Sequence, residues 1–194
     1  MELLLGAGSR HRKLLYTPPH IEFRNLVTLD INDDHKPDVV WDMENIPLPF
    51  ADNSADEIHA YEVLEHVGRQ GDWKFFFAQF SDFWRILKPG GMLFVTTPHP
   101  TSPWAWGDPG HTRVIPPEAL TFLGQQNYRE QVGITPMTDY RFIYKADFHL
   151  DYSEVQPNKT TAFALKAIKD AGTPFGATRP SPDDQEIPPA ARND

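Results

Sequence analysis

Short apolar runs, each closed by glycine, proline or acid, fill the first half of the chain and set the expected architecture. Glu2–Leu5 and Leu26–Leu29 have the length and apolarity of buried strands, the second ending at Asp30. Asp38–Trp41 reads as a third, fully buried strand that stops at Asp42. Glu57–Tyr61 reads as a fourth, turning at Glu62 into a short helical stretch through Val67. Between the first two strands, Ser9–Tyr16 has room only for a short helix, because Pro18 and Pro19 cannot continue one. The period then changes. In Asp72–Leu87, residues Trp73, Phe76, Phe77, Phe80, Phe83, Trp84 and Leu87 recur at three- and four-residue steps, which gives a helix with one wide apolar face. Asp72 is its expected N-cap, Pro89-Gly90-Gly91 stops it, and Met92–Thr97 follows as a fifth strand.

Beyond Pro98 the pattern loses its regularity. The stretch 98–117 is rich in proline yet holds Trp104, Trp106, His99 and His111, which suits a lid or binding loop better than a linker. Pro117–Gln126 reads as a helix, and Arg141–Tyr152 and Thr161–Ile168 as an antiparallel pair of strands joined through Pro157-Asn158. The whole predicts an α/β fold: a Rossmann-like doubly wound sheet of about seven strands, mostly parallel, with an antiparallel C-terminal hairpin. Residues 1–172 form the expected domain. Proline and charge dominate 173–194, which reads as a disordered tail able to dock a protein partner or a second subunit.

Composition narrows the setting. At 194 residues the chain fits one domain with a sizeable core, and a net charge of −9 disfavours duplex nucleic acid as a partner. The one dense basic run, Arg10-His11-Arg12-Lys13, reads as a solvated loop or helix face. No apolar run reaches the roughly 18 residues of a membrane span, and no secretory signal is expected. The absence of cysteine removes disulfides and thiolate metal sites and suits a cytoplasmic protein.

The chemistry starts at Leu3-Leu4-Leu5-Gly6-Ala7-Gly8, a strand running into a glycine turn, with Asp30 at the next strand end, 22 residues after Gly8. A carboxylate about that far along can accept hydrogen bonds from ribose hydroxyls. Asp42, the block from Ile46 to His66 and the run Leu87-Lys88-Pro89-Gly90-Gly91-Met92-Leu93 follow in order. Together these motifs resemble the class I S-adenosylmethionine-dependent methyltransferases, especially the small-molecule group, firmly over 2–100 and loosely to 170. The resemblance implies that Gly6, Ala7 and Gly8 lie against the methionine part of S-adenosylmethionine. Asp30 would then hold the ribose, with Ile31 beside it, Asp42 and Met43 would border the adenine, and Glu62 and His66 would lie on the cofactor side. Two positions depart from the family pattern: Leu4 stands where an acid is usual, and Arg10 where a third glycine often follows.

The acceptor is placed by the loop after the fifth strand. His111 is the candidate base for a hydroxyl acceptor, which needs its proton removed. Trp104 and Trp106 would supply flat walls for substrate, and Arg113 would fix a polar or anionic group. Asp108, His111, His99 and Glu65 have the right atoms for a metal, but no strong ligand motif, so none is expected. The sequence thus points to methyl transfer to a small-molecule or glycan acceptor. The alternatives are a non-catalytic binding or scaffold protein that kept the fold and a nicotinamide-dependent oxidoreductase, which would usually carry a fuller glycine motif.

Overall fold

A computed structural model describes residues 1–169. Seven strands form one sheet: β1 (Glu2–Leu5), β2 (Leu26–Asp30), β3 (Val39–Val40), β4 (Ala55–Tyr61), β5 (Leu87–Pro98), β6 (Phe148–Val155) and β7 (Thr160–Ala167). Their order is β3-β2-β1-β4-β5-β7-β6. The first five run parallel, and β7 lies antiparallel to both β5 and β6. This is the expected mixed sheet, and it puts the ends of β1, β2 and β4 side by side where the strand order reverses.

The core lies on one face. Leu3, Leu5, Leu29, Ile58, Ala60, Leu93, Val95, Phe163 and Leu165 point into it, alternating along their strands as the pleat requires. Helix α1 (Trp73–Ile86) covers this face with Phe77, Phe80, Phe83 and Ile86. Asp72 caps α1 as anticipated, its carboxylate accepting from the Phe75 N–H at 3.0 Å. Helix α2 (Pro103–Gly107) lies within the predicted irregular loop, and α3 (Gln125–Gln131) follows a 3-10 segment, Pro117–Leu123. Among the described residues no helix is long and apolar enough to cross a membrane.

The opposite face departs from expectation. No helix forms over Ser9–Tyr16; the chain crosses the sheet there as an irregular strap. Beneath it Glu2, Glu57, His59 and Tyr61 replace the usual apolar side chains. Lys13, expected in solvent, is buried between Glu2 (3.1 Å) and Glu57 (2.5 Å). His59, wholly buried, bonds Glu57 at 2.9 Å and Tyr61 Oη at 2.6 Å and stacks on Phe94. Burial lowers the His59 pKa despite the neighbouring Glu57. A strap that carries a lysine into two carboxylates holds its place without helical hydrogen bonds.

Other boundaries moved for local reasons. The third strand is two residues long and half exposed, because among the described residues β3 is an edge strand paired only with β2. The fifth begins at Leu87 rather than Met92, with Lys88–Gly91 forming an irregularity in the pairing with β4. The strand predicted from Arg141 begins at Phe148. Tyr144 is drawn instead under α1, against Phe77, and donates to the Leu123 carbonyl at 3.1 Å. Gly124 divides the helix predicted over Pro117–Gln126. The predicted tail at 173–194 lies outside the described residues.

The strap gives a direct test. Lys13→Met leaves two carboxylates facing each other without their cation and should destabilise the protein by about 3 kcal/mol. Thermal unfolding should then fall by roughly 10 °C. Adding Glu57→Gln should recover part of that loss.

Candidate active site

The turn after β1 is built by close approach. Gly6 adopts φ +61°, and a Cβ there would stand 2.3 Å from Val63 Cγ2, so only glycine fits. Ala7 N–H donates to the Leu29 carbonyl at 3.1 Å, tying the turn to β2. Gly8 also has a positive φ, +54°, but a Cβ at that position would meet nothing within 4 Å. Its N–H donates to Asp30 Oδ2 at 2.8 Å, and the Asn32 N–H donates to Asp30 Oδ1 at 2.8 Å. His35 Nδ1 stands 3.2 Å from the same carboxylate. Burial works to raise the Asp30 carboxyl, but the N–H groups of Asn32 and Gly8 and the His35 ring outweigh it and hold it below the ordinary range. Oδ1, with Asn32 its one donor among the described residues, keeps lone-pair capacity for a further donor.

Around this carboxylate the predicted adenine side is mixed. Ile31 is exposed at the rim, an apolar surface open to a ring. Met43 is buried in the core and presents little to a ligand. Asp42 organises its own turn, with Oδ1 accepting from the Glu44 N–H at 2.9 Å.

At the end of β4 the chain makes a second forced turn. Glu62 adopts φ +49°, unusual for a residue with a Cβ, and its N–H donates to the Thr96 carbonyl at 2.8 Å. The 3-10 turn Leu64–His66 follows. Partial desolvation raises the Glu62 carboxyl, with Thr96, His111 and His66 opposing. Glu65 is 2% exposed, and among the described residues neither of its carboxylate oxygens has a hydrogen-bond partner. Burial, with the Glu62 and Asp108 charges adding to it, pushes its pKa up to about 8.

The loop after β5 closes on this turn. Thr112 and Arg113 N–H groups both donate to the Glu65 carbonyl, at 2.9 and 3.3 Å. His66 Nδ1 lies 3.1 Å from the Gly110 carbonyl, and the His66 and His111 rings meet edge to face at 4.5 Å. The structure therefore brings His66 and His111 together with Glu65, while His99 turns away to Thr101. Arg113, expected to hold substrate, is buried: it donates to the Leu64 carbonyl at 2.9 Å and to Gln79 Oε1 at 2.5 Å. Burial lowers its pKa to about 10 against the Glu65, Glu44 and Asp72 carboxylates. It braces the turn rather than reaching into solvent. Trp104 and Trp106 stand on α2, 69% and 68% exposed, with Trp106 Nε1 donating to the Pro100 carbonyl. A cavity of about 260 Å³ lies beyond Arg113, walled by Trp73, Phe76, Phe77, Phe122 and Tyr140.

Two residues of the site were not anticipated. Val63 has no motif of its own and is recognised only through its contact with Gly6. Gln79 carried a signal: it is a polar residue beside the aromatic stripe of α1, and it is buried to receive Arg113.

Residues 13–95 match the family described as a methyltransferase domain. No curated protein sequence matches the chain. Among solved structures, it is similar to the putative methyltransferase of Haloferax volcanii, solved in complex with the Trm112 methyltransferase activator. There the identity is 13%, over 87% of this chain and 82% of that one, with a TM-score of 0.54. A SAM-dependent methyltransferase from Archaeoglobus fulgidus shares 17% identity over 85% of each chain, with a TM-score of 0.50. The [4+2]-cyclase SpnF shares 12% over 87% of this chain and 75% of its own, with a TM-score of 0.53. At such identities the likeness is one of fold. The fold is that of the class I methyltransferases. Residues 13–95 thus resemble a methyltransferase domain, and the fold is shared with S-adenosylmethionine-dependent methyltransferases.

The residues fit that cofactor. Gly8 faces open space, Asp30 has acceptor capacity left after its two backbone bonds, and Ile31 offers an exposed apolar surface at the strand end. The two glycines should separate in mutation. Gly6→Ala drives a methyl into Val63 and should cost about 3 kcal/mol or more in chemical denaturation. Gly8→Ala should cost only about 1 kcal/mol, because its methyl meets nothing within 4 Å among the described residues, yet should weaken S-adenosylhomocysteine binding.

Proposed function

We propose that the protein transfers a methyl group from S-adenosylmethionine to a hydroxyl of a small-molecule or glycan acceptor in the cytoplasm. The observation that carries this reading is the His66–His111 pair beside Glu65, one packed contact, Val63 on Gly6, from the cofactor turn. When bound, the cofactor supplies an electrophilic methyl on a sulfonium, and its thioether leaves without a proton. The protein's work is then alignment and handling of the acceptor.

Asp30 holds the ribose hydroxyls with the lone pairs that Gly8 and Asn32 leave free. Gly6 and Gly8 let the chain turn closely past the methionine portion, and Ile31 and Asp42 border the adenine. Glu62 and His66 bound the methyl side from the end of β4. His111 acts on the acceptor hydroxyl, since an alcohol attacks only as its proton leaves. Trp104 and Trp106 offer flat walls to a ring-bearing acceptor. Arg113 serves this site from behind, fixing the Leu64–His66 turn. A protein activator such as the Haloferax relative's Trm112 would be an addition to this scheme, and the tail is the segment we assign to partner docking.

A carboxylate accepting two hydroxyls contributes on the order of 1.5–3 kcal/mol. Asp30→Ala should therefore weaken S-adenosylmethionine binding by at least about tenfold in calorimetry, and unchanged affinity in a folded variant would remove Asp30 from the site. His111→Ala should cut turnover on phenol or sugar acceptors by about a hundredfold with cofactor affinity unchanged. A parallel loss of thermal stability and activity would instead make His111 an organiser of its loop.

A further inference from the structure

Glu65, His66 and His111 each present a donor atom, and these atoms all lie within 4.8 Å of one another. Hydrogen bonding decides which atoms are free. The Gly110 carbonyl can only accept, so His66 Nδ1 carries the proton in their 3.1 Å contact and Nε2 keeps its lone pair. The Nδ1 of His111 is buried without a partner among the described residues, while its Nε2 lies 3.8 Å from Asp108 Oδ2. At that distance Asp108 is an electrostatic neighbour of the ring rather than a hydrogen-bond partner. Glu65 adds two buried oxygens that nothing in the described residues satisfies. Buried polar atoms almost always have partners, so a carboxylate with none and a ring nitrogen with none, facing one spot, need an explanation.

We infer that Glu65, His66 and His111 bind one divalent first-row metal ion. Two imidazoles and a carboxylate suit Mn²⁺, Fe²⁺ or Zn²⁺ better than the all-oxygen shells of Ca²⁺. Ligands about 2.1 Å from a tetrahedral ion stand about 3.4 Å apart, so donors within 4.8 Å of one another close by at most about 1.4 Å on binding. Their backbones are already joined, since Thr112 and Arg113 N–H groups hold the His111 loop against the Glu65 carbonyl. Gly110 permits the approach: a Cβ there would stand 3.1 Å from His66 Nδ1 and 3.2 Å from Asp108 Oδ1. Three protein ligands leave coordination positions open, and the exposed side of His66 gives the ion a way in. Glu62, at the end of β4, is a further carboxyl near the two histidines.

What the ion does rests on the methyl-transfer reading above. An acceptor hydroxyl in the open position loses its proton to solvent at a lowered pKa. Its oxygen forms the bond to the methyl carbon as the carbon–sulfur bond breaks, and the sulfur keeps the electron pair. His111 then acts on the acceptor through the ion.

Metal binding is tested apart from turnover. Full-length protein freed of metal by EDTA dialysis is titrated with MnCl₂ under electron paramagnetic resonance and with ZnCl₂ in a calorimeter. Saturation at one ion per chain is expected, with affinity falling at least tenfold in Glu65→Gln and in His66→Ala. Thermal melts and circular dichroism verify that each variant remains folded, and His111→Asn stands in for either that does not. Absence of saturable binding of both ions, or equal binding by the folded variants, overturns the site. These isotherms need no acceptor, so they decide the metal site whether or not methyl transfer is detected.

Discussion

The contact of Val63 with Gly6 is the constraint on which the site depends. A turn after β1 and a turn after β4 are pressed together so closely that no side chain fits on the glycine. Parallel pairing of β1 with β4 brings the strand ends level, and the positive φ angles at Gly6 and Glu62 bend both chains over the sheet edge. One turn leads through Gly8 to Asp30, and the other leads through Leu64 to Glu65 and His66. Asp30 and the Glu65–His66 turn are therefore positioned by a single packing contact. Strain at Glu62 is borne because the Thr96 carbonyl and the buried Leu64 anchor the segment on either side.

Around that contact, the supporting shell is polar and buried. Arg113 spends its guanidinium on the Leu64 carbonyl and Gln79, so a charge that looked available to substrate fixes backbone instead. The unpartnered oxygens of Glu65 stand out against this arrangement. The far face of the sheet follows the same logic with Lys13, Glu2, Glu57 and His59, where ion pairs replace a helix as the cover.

Much of this could be read from residue order. The strand-end positions of Gly8 and Asp30 were legible because a short apolar run, a glycine turn and a spaced acid leave few alternatives, and their 2.8 Å bond links the two. Helix α1 was legible down to its cap at Asp72, because amphipathic period and capping chemistry are both local. Lys13 was not. A lysine within a basic run reads as solvated until two acids from distant strands are known to converge on it. Arg113 and the Glu65–His66–His111 group failed for the same reason, since no fixed spacing records contacts between a turn and a loop so far apart in the chain. Tyr144 misled in another way: its alternating neighbours mimic a strand, whereas its ring is held in the core by α1.

The most direct test of the account is calorimetric titration of the full-length protein with S-adenosylmethionine, S-adenosylhomocysteine and NAD in parallel. The account predicts saturable binding of both sulfur nucleosides at one site per chain and no heat from NAD. Silence with both sulfur nucleosides, or binding of NAD at that site, would contradict it.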